Sequence, residues 1–266
     1  MKKIKIFSKI REEIPDFGDL QNVYLEIDLS EHCAKNHNTK NAVRELYDVL
    51  LSKLEAGKVT KNEKFELYCI APNSILVSIS YILKKLGYNF CFYPKPTDSK
   101  IWGWDNHDIK DSELSNFINN RIAQIEIMRH EKACIILSGK FDISEVDIVE
   151  QGNENLIINK GSIKHGKNII RVSHYLKLEE CSYKSLSNKI YYNRFEENIT
   201  KMFDELSSFE SLNEVHIISS IPANGLLCIG KIIADKKYDS LKFYIYSYDK
   251  DNTYKLGSIL YNNLLK

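Results

Sequence analysis

The stretch Phe65 to Tyr93, FELYCIAPNSILVSISYILKKLGYNFCFY, decides the fold, because a second version of it returns as Val215 to Phe243, VHIISSIPANGLLCIGKIIADKKYDSLKF. At one offset (222 − 72 = 150), Pro72 falls on Pro222, Leu76 on Leu226, Ile79 on Ile229 and Ile82 on Ile232 without a gap. A shared offset through an apolar run, a proline and a helical period is the mark of an internal repeat. Phe65 to Ile70 and Val215 to Ser220 read as strands buried on both faces. Proline cannot extend a central strand but suits the first turn of a helix, so Pro72 and Pro222 mark the switch. Ile75, Ile79, Ile82, Leu83 and Leu86 then give one helical face, Gly87 a left-handed C-cap, and Asn89 to Tyr93 the next strand. The unit is strand, turn, helix, strand, and ligands of such sheets bind at the carboxyl ends of the strands.

The rest of the chain is placed around these two units. Met1 to Ser8 is a strand or an arm, and Asn22 to Leu29 a strand. Asn38 or Thr39 caps a helix to about Glu55, with Val43, Leu46, Tyr47, Leu50 and Leu54 on one face. Pro94 to His107 is a loop carrying Trp102 and Trp104. Leu114, Phe117, Ile118, Ile122, Ile125 and Met128 predict a helix from Ser112 to His130. Ala133 to Leu137 is a buried strand, and Leu156 to Ile158 and Asn168 to His174 are strands flanking a polar hairpin. Tyr175 to Asn188 reads as a long loop, Asn193 to Leu206 as a helix, and Asp251 to Leu264 as a closing helix.

Each half thus runs strand, helix, strand, proline turn, helix, strand. The expected fold class is α/β: two fused Rossmann-like halves related by internal pseudo-symmetry, with mainly parallel sheets flanked by helices and a boundary between 1–130 and 131–266. The residues just past strand ends are then the candidate ligand contacts. In the first half these are Ser30, His32, Asn73, Ser74, Lys95, Trp102 and Trp104; in the second, Ser138, Lys140, His174, Tyr175, Ala223 and Asn224.

Composition bounds the function. The 266 residues are 43% hydrophobic and 27% charged, which is a globular balance. A formal net charge of +1 argues against bulk binding of DNA and leaves room for a small anion in a local pocket. No signal peptide or membrane span is readable, so the protein reads as cytoplasmic. Six cysteines without a C-x-x-C pair read as reduced, packed thiols. His32, Cys33 and His37 lack a fourth ligand at recognisable spacing, so neither a metal nor a cofactor is expected. There is no G-x-G-x-x-G, Walker A lysine or G-x-S-x-G elbow. Trp102 and Trp104 serve either to pin the loop or to stack on a base. His174 is either a satisfied polar residue, a base contact, or the catalytic base of a ligand-cleaving nuclease.

The paired strand, proline turn and small-residue helix, the ACIILSG strand between them and the Tyr244 to Tyr248 strand resemble the SAVED domain, a sensor of bacterial anti-phage systems (CBASS or type III CRISPR) that is similar to two fused CARF units. The resemblance implies a cyclic tri- or tetranucleotide ligand bound between the halves. It also implies ligand-driven homo-oligomers or filaments that switch on an effector. The chain carries no recognisable effector, so either the effector is a separate polypeptide or the protein acts without one. The alternatives are a ring nuclease acting on cyclic oligoadenylate and a ligand-free, partner-binding subunit. Phosphates of such a ligand want helix N-termini and lysines, and its bases want aromatic faces.

Overall fold

The computed structural model describes residues 1–8, 13–35, 42–95, 102–105, 107–110, 113–114, 117–122, 131–140, 143, 148–151, 154–159, 162–165, 168–178, 186–248 and 253–265. The first strands are β1 (Lys2–Phe7) and β2 (Leu25–Asp28), followed by the helices α1 (Ser30–Lys35) and α2 (Ala42–Ala56). The first repeat unit supplies β3 (Lys64–Ile70), α3 (Asn73–Lys85) and β4 (Asn89–Phe92). These strands form one all-parallel sheet in the order β2-β1-β3-β4. Met1 to Ser8 is therefore a central strand and not an arm.

The second sheet holds β5 (Ile118–Ile122), β6 (Lys132–Ser138), β7 (Ile148–Gln151), β8 (Glu154–Asn159), β9 (Ser162–His165) and β10 (Asn168–Leu178). It continues through α4 (Lys189–Ser207), β11 (Glu214–Ser219), α5 (Ala223–Ile233), β12 (Lys242–Tyr248) and β13 (Thr253–Leu260). Its parallel centre runs β10-β6-β11-β12, the same order as the first sheet when β1 is matched to β6 and β3 to β11. Antiparallel pairings and one parallel pairing, β13 with β7, extend it, and β9 returns to pair with the first half of β10, so that β6 to β13 close into a ring.

Alternation explains why the central strands are apolar throughout. Ala133, Ile135, Leu137, Val215 and Ile217 face the main core under the helices. Cys134, Ile136, Ile218, Tyr246 and Tyr254 fill a second core on the other face. A strand buried on both sides has no polar register to keep.

The two repeat helices start alike. Pro72 (φ −56°, ψ 152°) and Pro222 (φ −59°, ψ 159°) are both N-caps without a side-chain cap hydrogen bond. After α3, Gly87 takes φ +81°, its N–H bonds Lys84 O, and Tyr88 N–H bonds Leu83 O, a Schellman ending as the sequence predicts. The helices α3 and α5 pack on each other at Gly230, where a Cβ would overlap Ser80 Oγ and the Val77 carbonyl. Ser80 and Gly230 are matched positions of the repeat (230 − 80 = 150). Ser80 returns its hydroxyl to the Leu76 and Val77 carbonyls, which lets a serine lie at this buried contact.

Three expectations need correction. Ile118–Ile122 is a strand paired to β10, not part of a helix; Asn119 and Asn120 are poor helix formers, and an open antiparallel edge is available. Ile125 and Met128 lie outside the described residues. The segment from Thr253 to Leu260 is also a strand, with Tyr254, Leu256, Ser258 and Leu260 buried at a period of two. Gly257 disfavours the helix there and is the extra residue at the bulge in the pairing with β12, between Ser258 opposite Ile245 and Leu256 opposite Tyr246. Lastly, β10 runs on to Leu178, burying Leu176 and Leu178, where a loop was expected from Tyr175.

Candidate functional site

The carboxyl ends of both sheets meet around the two proline turns. Asn73, the first residue of α3, donates its amide N–H to the Ser219 carbonyl at the end of β11 (2.9 Å). The next residue, Ser74, is 3% exposed; its backbone N–H bonds Ser247 Oγ at the end of β12 (2.9 Å), and the two hydroxyls lie 2.9 Å apart. Gly257 on β13 leaves room for this pair, since a Cβ there would overlap Ser74 Oγ. The opening turn of α3 is thus tied across to the second sheet.

Beyond β6, Gly139 N–H bonds Ser220 Oγ (3.1 Å) and Lys140 N–H bonds the Ser220 carbonyl (2.6 Å). The Ser138 hydroxyl, fully buried, accepts from Ile143 N–H (3.0 Å). Ser138, Gly139 and Lys140 are therefore locked beside the Pro222 turn. Burial pulls the Lys140 ammonium down to about 8 from its ordinary 10.5.

At the start of α5, Ala223 is half-buried, and Asn224, 2% exposed, donates to the Leu186 carbonyl (2.5 Å). The Leu186 segment is in turn held by the tryptophan loop. Asp105 N–H bonds the Ser187 carbonyl (3.0 Å), and Asn188 Nδ2 bonds the His107 carbonyl (3.0 Å). Trp104 rests on Tyr192 with ring centroids 5.0 Å apart, and Tyr192 meets Phe92 at the end of β4 (5.5 Å). Asn73, Ser74, Ser138, Lys140, Ala223 and Asn224 are thus drawn together around the two proline turns, with Ser74, Ser138 and Asn224 buried there, and Trp104 connects to them through the segment before α4.

The other candidates sit apart from it. Ser30 donates to the Asp28 carboxylate at the start of α1, and burial holds the His32 imidazole below its usual value while Glu45 pulls the other way. Lys95 is spent on the Asp16 carbonyl, with the Asp16 carboxylate at 3.7 Å. Trp102 donates Nε1–H to the Phe17 carbonyl (2.9 Å), stacks on Phe17 at 5.4 Å and meets Tyr68 edge-on at 5.1 Å, which is a packing role. His174 does not follow a strand end: it lies inside β10, 2% exposed, with Nε2 3.7 Å from a Glu205 oxygen on α4. Burial lowers its pKa against the pull of Glu205. Tyr175 is also within β10, opposite Ile136. His37 lies outside the described residues, and among these no three His, Cys, Asp or Glu side chains gather as a metal cluster.

Cys33, Cys69, Cys91, Cys134 and Cys228 are free thiols, and burial raises Cys228 to about 12 and Cys69 further. Among the described residues no helix is long and apolar enough to cross a membrane. An open hollow of about 670 Å³, lined by residues such as Met1, Lys2, Tyr24 and Glu63, lies at the amino end of β1, away from this face. Ser219, Ser220, Ser247, Leu186 and Lys189 join the face without having been singled out in the sequence. The serines were readable in principle, because each closes a central strand.

No family model matches the sequence, and no curated protein does either. Solved structures do match. An Acinetobacter baumannii Cap4 SAVED/CARF-domain containing receptor with the cyclic trinucleotide 2′3′3′-cAAA superposes with a TM-score of 0.62 at 11% identity, over 98% of this chain and 52% of that one. The same receptor with 3′3′3′-cAAA gives 0.61 at 14% identity over the same shares. A Moraxella osloensis Cap4 receptor gives 0.51 at 11% identity, over 96% of this chain and 49% of its own. The chain has the fold of these receptors and spans about half their length.

Proposed function

We propose that this chain is a sensor that binds a cyclic tri- or tetranucleotide across the joint carboxyl face, and then oligomerises or engages a separate effector in anti-phage defence. The observation that carries the reading is the match of nearly the whole chain to receptors whose structures hold cyclic trinucleotides. The local chemistry agrees with it. The α5 helix starts at Pro222 without a side-chain cap, so its opening turn and positive dipole end suit phosphate oxygens, whereas at α3 the Ser74 N–H is already taken by Ser247 Oγ. Lys140, beside the Pro222 turn, adds a cation that is charged below about pH 8. Ring cleavage finds no support in His174, which is 2% exposed within β10 with Nε2 3.7 Å from a Glu205 oxygen.

Calorimetry with 2′3′3′-cAAA, 3′3′3′-cAAA, cyclic tetraadenylate and cyclic dinucleotides tests the proposal. Saturable heat with a cyclic tri- or tetranucleotide is expected, and its absence across the panel overturns the reading. Light scattering of the same mixtures reports whether binding drives assembly.

A further inference from the structure

The two tryptophans of the same loop are used differently. Trp102 has one face on Phe17, its edge region against Tyr68 and its indole N–H on a carbonyl. Trp104 is instead covered by a charge: Lys189 Nζ stands 4.5 Å from its centroid and 4.5 Å from that of Tyr192. Lys189 is solvent-exposed, and burial against the rings, helped by the nearby Lys231, holds its ammonium below the usual lysine value. A long exposed side chain over an aromatic face is a weak cover, because an exposed cation–π contact is worth less than a stacked base.

Position matters as much as chemistry. Lys189 opens α4, with Asn188 as its N-cap accepting from Ile190 N–H (2.8 Å). It follows the Leu186 carbonyl, held by Asn224 of α5, by three residues. The Trp104 ring therefore lies at the start of α4, beside the segment that Asn224 ties to the opening turn of α5.

We infer that Trp104 is a stacking site for a nucleobase, and that Lys189 covers it until ligand arrives and then turns to the phosphate next to that base. The inference rests on the cyclic-nucleotide reading above. It adds a named base contact and a lysine that changes partner, on a ring backed by the fully packed Tyr192.

Trp102→Phe leaves Trp104 as the sole tryptophan, since the chain has two. Titration of that protein with 2′3′3′-cAAA, 3′3′3′-cAAA and cyclic tetraadenylate is expected to quench Trp104 emission at the concentrations at which calorimetry shows binding. Trp104→Leu, which keeps apolar packing on Tyr192, is expected to bind about ten-fold more weakly, with Trp104→Phe recovering most of the loss. Lys189→Gln is expected to weaken the dependence of binding on salt. Binding heat without quenching, or Trp104→Leu binding as tightly as the parent, overturns the stacking site and leaves the sensor reading intact. An unchanged salt dependence in Lys189→Gln overturns the lysine's part. Absence of heat with all three probes removes both proposals together.

Discussion

The two proline-opened helices share their sequence pattern and their backbone start, yet they are fastened in opposite ways. The α3 turn is held from outside its own sheet: Asn73 reaches the Ser219 carbonyl and Ser74 meets Ser247, both in the second sheet. The α5 turn is held by the segment before α4, through Asn224 and the Leu186 carbonyl, with the Lys140 N–H bonded to Ser220 just ahead of it. The first is a joint between sheets, and the second is a joint within the second half of the chain. The difference teaches that matched positions in a repeat need not do matched work.

The largest expected effect comes from the place where the helices touch. Helix propensity alone says that Gly230→Ala should stabilise α5 by about 1 kcal/mol. The contact says the reverse, because the new methyl would overlap the Val77 carbonyl, which belongs to a buried helix backbone. Overpacking costs about 1 to 3 kcal/mol, so a net loss near the upper end is expected, read as a lower midpoint in denaturant unfolding. A stabilised Gly230→Ala would show that the helices do not meet as described.

Next come the asparagines. Asn224→Ala strips a donor from a side chain that is 2% exposed and leaves the Leu186 carbonyl without it; a loss of about 2 kcal/mol is expected. Asn73→Ala removes a half-buried bond and is expected to cost about 1 kcal/mol. Equal losses would erase the distinction between the two turns. On sequence alone both positions promised ligand contacts without a structural cost; the hydrogen bonds add that cost.

Lys140 sharpens the comparison through pH. Its folded-state pKa of about 8 lies below the ordinary 10.5, so the folded chain releases this proton first and stability rises with pH between those values. Lys140→Gln is expected to flatten that rise, as followed by thermal unfolding at several pH values, and to weaken nucleotide binding below pH 8. Glu214 gives a case of the same sign at low pH. The His216 ring 3.9 Å away and the Lys132 ammonium at 2.7 Å hold the carboxyl at about 2 against an ordinary 4.5. The stability it adds is complete above 4.5 and is lost as pH falls toward 2, a slope that Glu214→Gln should remove.

Much of this was legible in the chain. An apolar run, a proline and a helical period at one offset identify strand, turn and helix twice, because local sterics and burial act on each copy alike. Period reading failed at Thr253–Leu260 and Ile118–Ile122, where apolar residues satisfy both templates and only a neighbouring strand decides between them. Among the candidate residues, those next to the prolines gathered on one face. Lys95, Trp102 and His174 did not, because Asp16, Phe17 and Glu205, distant in sequence, had already claimed them.

The sequence by itself determined that the chain folds as α/β and carries the strand, proline turn and helix pattern twice, since patterning and turn chemistry are local. Which polar side chains hold the sheets and turns together was decided only by tertiary structure. Asn73 and Asn224 look alike in the chain, and each takes its role from a carbonyl tens of residues or more away, in a packing that no local pattern encodes.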